Sequence, residues 1–272
     1  AQEVLVQTRQ TNMPSVLKAP GAAVPQFDHG IAFLPGPNGG RYLDATSPQS
    51  RLGPIPSMDA RAVALRMDGP AEIVELPNAL PADHGSDSVW NIAVNRDGAA
   101  KIAGKELHMG DSAFFLRTAL REEEGRSQYV EQNLIGGYFP QLSVDKGVGF
   151  QGDLSGGKSE VSYTAFSEAW GRKEGDALVL PLSASATLAS TFAPSPSRLL
   201  PVELPSQLAP SHRTITFVVD APKGGKWGVL PKGGTVEGGE FGKSSLTFSQ
   251  QGDKITVKRT LIFDANKVPV AK

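Results

Sequence analysis

Apolar and polar positions alternate with period two along most of the chain, the pattern of strands that bury one face. Val4-Leu5-Val6 leads into Gln7-Thr8-Arg9-Gln10 as a first strand. Gly30-Ile31-Ala32-Phe33-Leu34 and Arg41-Tyr42-Leu43 flank the turn-forming run Pro35-Gly36-Pro37-Asn38-Gly39-Gly40 and predict a hairpin. Short β runs follow at 61–67 and 71–76. From Ser88 to Val94 the alternation centres on Trp90, Ile92 and Val94, turns at Asn95-Arg96-Asp97-Gly98 and returns to about Leu107. Further strands are expected at 147–151, at 159–168 around Val161, Tyr163 and Ala165, and at 176–182. Others are expected at 214–219, around Leu246 and Phe248, and at 255–263 beyond a Gly252-Asp253 turn. Two segments carry helical spacing instead. Gly110-Asp111 precedes Phe115, Leu116, Ala119 and Leu120, which predicts a helix over 112–124 with Arg121 and Glu122-Glu123-Glu124 toward solvent; a shorter helix is expected over 127–135.

Proline divides these runs. Residues 11–26, 47–60 and 183–210 read as loops or surface crossings, and Pro77, Pro81 and Gly85 mark a boundary near 77–87 between a part spanning 1–82 and a part spanning 83–272. The expected class is mainly β with a minor α component, the second part being an antiparallel β-sandwich with one or two helices.

Composition narrows the function classes. The 272 residues carry 27 Lys plus Arg against 28 Asp plus Glu, a net charge of -1, which argues against a nucleic-acid binder. No apolar run approaches the ~18 residues a helical membrane span needs. There is no Cys, so this chain supplies no disulfide, no zinc ribbon and no thiol nucleophile.

One pair of residues suggests chemistry. His29 stands at the start of the first hairpin strand and Asp44 on the returning strand. A turn over 35–40 sets the index sum of facing residues near 73 to 75, so His29 lies opposite Asp44 or diagonal to it on the same face. A carboxylate placed there accepts an imidazole N–H, fixes the tautomer and stabilises the imidazolium during proton transfer. Such pairs also occur in strands without any catalytic role. Elsewhere, His84 lies in a polar loop beside Asp83 and Asp87 with too few ligands for a metal site. His108 reads as a surface or capping residue, His212 as solvent-facing, and Glu122 to Glu124 as a solvated helix face.

The words around the pair are more specific than the pair itself. Phe27-Asp28-His29, Tyr42-Leu43-Asp44-Ala45-Thr46 and Leu52-Gly53-Pro54-Ile55-Pro56 together resemble the second half of a bacterial transglutaminase-like core, and Val4 to Arg9 resembles the strand that follows that family's Cys-bearing helix. The resemblance implies a Cys-His-Asp mechanism in which His29 and Asp44 are the catalytic base and its orienter. It further implies that the first part is a partial transglutaminase-like β core. The β-rich remainder is then similar to the domain of unknown function that follows this core in large bacterial members, carried by Asn95 to Gly98, Gly110-Asp111 with the Arg117 helix, the 159–168 strand, Ile215 to Pro222 and Trp227 to Pro231. No cofactor or metal is expected, the substrate is expected to be a protein or peptide, and the location periplasmic or in the cell envelope. The family's Cys is absent. Ser47 and Ser50, on a Pro-rich loop, are not placed where a helix N-terminus activates an attacking group. The expectation is therefore a C-terminal piece of a thiol hydrolase or acyl-transferase, inactive alone. A non-catalytic β-sandwich binding or adhesion module, and one half of a split enzyme, are the alternatives.

Overall fold

The computed structural model describes residues 1–8, 27–37, 39–46, 55–67, 69–153, 157–182, 202–204, 208–265 and 267–268. The expected loop at 11–26, most of the crossing at 183–210, and Ser47, Ser50 and Leu52-Gly53-Pro54 lie outside the described residues.

Five strands form a first antiparallel sheet: β1 (Gln2–Gln7), β2 (His29–Leu34), β3 (Arg41–Leu43), β4 (Val63–Arg66) and β5 (Glu72–Glu75), in the order β3-β2-β1-β4-β5. The alternation works as it must in such a sheet. Val4 and Val6 of β1, Ile31 and Phe33 of β2 and Ala64 of β4 turn to one face, where Ile55, Ala62 and Leu76 complete a small core. In the β2–β3 hairpin Ala32 faces Leu43, Phe33 faces Tyr42 and Leu34 faces Arg41. That register puts Asp44 diagonal to His29.

The second sheet begins at Gly85 and has nine strands. They are β6 (Gly85–Val94), β7 (Ala100–Met109), β8 (Leu142–Val144), β9 (Gly149–Asp153), β10 (Lys158–Ser167), β14 (Ser211–Asp220), β15 (Gly234–Glu237), β16 (Gly242–Gln251) and β17 (Lys254–Phe263). The pairs β11 (Arg172–Glu174) with β12 (Ala177–Val179), and β13 (Val202–Glu203) with β18 (Lys267–Val268), form separate two-stranded ribbons. The protein is mainly β, as expected. The large sheet departs from the all-antiparallel expectation at one pairing, because β14 runs parallel to β6 while its other neighbour, β17, is antiparallel. Parallel neighbours need a long crossover, and residues 95–210 supply it.

Helices cover one face of this sheet. Helix α1 (Asp111–Ala119) and α2 (Arg126–Tyr129), continued by a π-helical segment Val130–Ile135, bring Leu116, Leu120, Val130 and Ile135 onto Ile92, Ile102, Val161, Phe217 and Val257. The first helix is shorter than the 112–124 expected. Arg126 donates from Nε to the carbonyl of Leu120 at 2.7 Å and from Nη2 to that of Arg121 at 3.1 Å, satisfying carbonyls that a continuing helix would otherwise use. The three glutamates then sit exposed in the turn. At the centre of the core, the Trp90 ring meets Phe217 at 5.0 Å, Tyr138 at 4.8 Å and Phe139 at 5.4 Å, and its indole N–H donates to the Tyr163 hydroxyl at 2.9 Å. Position 104 must be glycine for this to fit, since a Cβ there would stand 2.3 Å from the Tyr163 ring.

Phe217 is 1% exposed. Its truncation to Ala is expected to lower unfolding free energy by ~3–5 kcal/mol, read as a fall in the urea midpoint. An unmoved midpoint would show that this ring is not part of the packed core.

Candidate functional site

His29 begins β2 on the face that carries Ile31 and Phe33, directly opposite Val6 of β1. The position is fixed from the preceding residue as well. Asp28 accepts the Thr8 backbone N–H at 2.7 Å and the Thr8 hydroxyl at 2.8 Å, which pins the start of β2 to the end of β1. Asp44 follows the last residue of β3. Its Oδ1 accepts both the backbone N–H of Thr46 at 2.9 Å and the Thr46 hydroxyl at 2.6 Å, a local Asx turn that holds the carboxylate in one orientation. Oδ2 is thereby turned to His29 and lies 3.4 Å from Nε2. The structure brings the two expected site residues together, with the Asp44 side chain 2% and the His29 side chain 13% exposed.

A third residue joins them that no sequence spacing indicated. Asp59 sits in the tight turn before β4, whose chain path is set by Asp59 N–H to Pro56 C=O at 3.0 Å and Ala62 N–H to Asp59 C=O at 2.9 Å. Arg61 closes the turn in the left-handed region at φ 57, its N–H donating to the Pro77 carbonyl at 3.1 Å. The turn aims Oδ2 of Asp59 at the same Nε2, at 3.8 Å. Asp59 is 0% exposed and, among the described residues, neither carboxylate oxygen has a hydrogen-bond partner. Burial pushes its carboxyl up from the ordinary 3.8 to about 7; the His29 imidazole pulls it down, while Asp44, Asp111 and Asp28 push it further up. Donor atoms of His29, Asp44 and Asp59 lie within 4.8 Å of one another, so these three are also the group that could hold a divalent ion.

Both carboxylates address Nε2, which leaves Nδ1 as the ring nitrogen for a reaction partner. The two approaches are ion-pair contacts without hydrogen-bond geometry; with the hydrogen on Nε2 of a neutral ring, Nδ1 is bare and able to accept a proton from an acid or nucleophile. Any such nucleophile must come from elsewhere than a Cys of this chain, which has none.

The other histidines are placed differently from expectation. His108 is buried, not at the surface, because Glu106 two residues earlier on β7 points to the same inward face and pairs with it, Nε2 to Oε2 at 3.0 Å. His212 is largely covered, its Nδ1 lying 2.7 Å from the Pro81 carbonyl as β14 runs alongside the start of β6. His84 is buried with Nδ1 3.8 Å from Oδ1 of Asp111. The i, i+2 spacing of Glu106 and His108 was the available signal for their pairing; the Asp59 contact had none, because it depends on how a turn between two strands is folded over the sheet.

Compared with known families, residues 176–272, about a third of the chain, match a Domain of Unknown Function with solved-structure structure (DUF3858). The matched stretch runs from just before β12 to β18, and so takes in the C-terminal half of the large sheet and neither member of the His29–Asp44 pair. No curated protein and no solved structure matches the chain. Among the described residues no helix is long and apolar enough to cross a membrane.

The buried Asp59 carboxyl generates a prediction on stability. A folded-state value above the unfolded one means that the native protein holds this proton more tightly, so stability contributed below about pH 4 is lost as pH rises through about 7. Asp59→Asn should therefore melt higher than wild type at about pH 8, with the difference shrinking toward about pH 4. Parallel melting-temperature profiles for the two proteins would mean that Asp59 does not hold a proton in the native state.

Proposed function

We propose that this chain carries the base-and-orienter half of a transglutaminase-like thiol hydrolase or acyl-transferase that acts on protein or peptide substrates in the periplasm or cell envelope. The observation that carries the reading is the 3.4 Å contact of His29 Nε2 with Asp44 Oδ2, made by a carboxylate whose other oxygen is locked by Thr46, so that Nδ1 is the ring nitrogen neither carboxylate addresses. The Tyr42-Leu43-Asp44-Ala45-Thr46 word supports it, since its Thr is the residue that orients the Asp. The match of residues 176–272 to a domain of unknown function agrees with the order of regions that the resemblance implies.

In the proposed reaction a Cys thiol from outside these 272 residues gives its proton to His29 Nδ1, and the thiolate attacks an acyl carbonyl. Asp44 steadies the resulting imidazolium. For a carboxamide substrate the C–N bond breaks and the leaving amine or ammonia takes the proton back from His29. Water or a second amine then releases the acyl group from sulfur.

The test is a longer polypeptide that joins this chain to the Cys-bearing helix. An imidazolium partner lowers a thiol from ~8.5 into the range ~3.5–7.5, so iodoacetamide should label that Cys rapidly at about pH 6. His29→Ala should return labelling to ordinary thiol behaviour and abolish ammonia release from glutaminyl peptides. Labelling with the same pH dependence in wild type and His29→Ala would exclude the triad and favour a non-catalytic binding module.

A further inference from the structure

A second arrangement of reactive side chains lies in the large sheet, separate from His29 and Asp44. A cavity of about 400 Å³ opens at the end of the sheet where β6 and β14 begin and β7 and β17 finish. Ser112, in the first turn of α1, and His108, at the end of β7, both line it. His108 Nδ1 lies 2.6 Å from the Ser112 hydroxyl oxygen, and His108 Nε2 lies 3.0 Å from Oε2 of Glu106. The geometry points to a serine-based acyl-hydrolase site at this cavity, with Ser112 as nucleophile, His108 as base and Glu106 as its orienter, taking esters whose acyl half ends in a negative charge.

Three observations support the roles. First, Glu106 is built to remain a carboxylate in the interior. Burial works to raise its carboxyl, but the hydrogen bond and charge of His108 and the hydrogen bonds of Tyr163 and Ser88 hold it below its ordinary value. The Tyr163 hydroxyl donates to Oε1 at 2.6 Å and is itself held by the Trp90 N–H at 2.9 Å. An ionised carboxylate only accepts, so in the neutral form of the His108 ring the hydrogen is on Nε2 and Nδ1 is bare toward the Ser112 O–H. This is the tautomer that nucleophile activation requires.

Second, Ser112 stands at a helix start. The first intrahelical bond is Phe114 N–H to Gly110 C=O at 3.0 Å, and the N–H groups ahead of it are the donors that a developing oxyanion needs. Asp111 also lines the cavity, but its Oδ2 is occupied by the Ser57 N–H at 3.2 Å and by the Ser57 hydroxyl, and its Oδ1 lies 3.8 Å from His84 Nδ1. Third, Arg213 and Arg259 line the same cavity, and among the described residues neither has an acidic ion-pair partner. They sit among Ile215, Leu261 and Phe263, so the space offers apolar walls with two cations.

The reaction balances within the site and water. The Ser112 oxygen bonds to the acyl carbon while its proton passes to His108 Nδ1; the acyl–oxygen bond of the ester breaks and the alcohol leaves with that proton. Water then adds to the acyl-serine, His108 takes and returns its proton, and the carboxylic acid is released from a regenerated Ser112.

The wild-type chain is tested with a fluorophosphonate probe, read by intact mass and peptide mapping. One adduct per chain on Ser112 is expected, with no adduct on Ser112→Ala, which removes only a hydroxyl and should melt within a few degrees of wild type. Glu106→Gln should label roughly a hundredfold or more slowly. Where that variant fails to fold, Ser112→Ala and the wild type decide. The p-nitrophenyl ester of succinate should be hydrolysed faster than p-nitrophenyl acetate. Folded wild-type protein that takes no adduct, or an adduct that persists in Ser112→Ala, overturns the site and leaves Ser112–His108–Glu106 as a purely structural hydrogen-bond chain. Equal rates on the two esters overturn the assignment of charge to the substrate.

Discussion

The parallel pairing of β6 with β14 is the constraint on which the larger part of the molecule depends. It runs from Gly85 beside His212 to Ala93 beside Asp220 and joins two sets of antiparallel strands that are otherwise separate in sequence, β7 and β10 on one side, β17, β16 and β15 on the other. Trp90 and Phe217 are partners in this register, so the aromatic centre of the core exists only when the two strands are paired. The approach is close: at Gly85 a Cβ would stand 1.8 Å from the His212 carbonyl oxygen, and glycine alone avoids the clash. One consequence concerns the family match. Residues 176–272 contribute β14 to β17 but not Trp90, Tyr163 or the helices, so the matched stretch buries its apolar face against residues that precede it in the chain.

Three buried carboxylates show how the fold manages charge away from water, each by a different means. Asp44 receives two donors from Thr46 and faces an imidazole. Glu106 receives the Tyr163 hydroxyl and faces another imidazole, and it stays ionised in the middle of the sheet. Asp59 receives no donor among the described residues and its carboxyl is pushed up to about 7. Between Glu106 and Asp59, both almost fully covered, the difference follows from the hydrogen bonds and the imidazole charge that Glu106 receives rather than from depth. It also separates their chemistry: the first two are suited to holding a histidine in one tautomer, whereas Asp59 exchanges a proton near neutral pH beside the first histidine.

A contact through Ser57 joins the two clusters. Ser57, two residues before Asp59, bonds to Asp111 at the start of α1. Asp111 in turn contributes to raising Asp59. A change at the start of α1 is thereby felt electrostatically at the small sheet, without any shared strand between the two sheets.

Much of this was legible in the residues. Period-two alternation placed β6, β7, β10, β14, β16 and β17 within a few residues, because burial on one face of a sheet writes itself directly into sequence, whereas the short strands β8 and β15 carried no such pattern. The hairpin turn at 35–40 set the index sum that places His29 and Asp44 on one face, since cross-strand geometry within a hairpin is local. Other features needed the tertiary structure. The parallel register of β6 and β14 spans more than a hundred residues, and alternation carries no information about which strands become neighbours. The length of α1 was decided by Arg126 reaching back to the carbonyls of Leu120 and Arg121, just past its last turn. Asp59 reached His29 only through the folding of a turn over the sheet, and His108 looked superficial until Glu106, Tyr163 and the first turn of α1 closed around it. Local spacing determined the strands and the first pair; which buried groups meet across them was decided by packing, because those partners are neighbours in space and not along the chain.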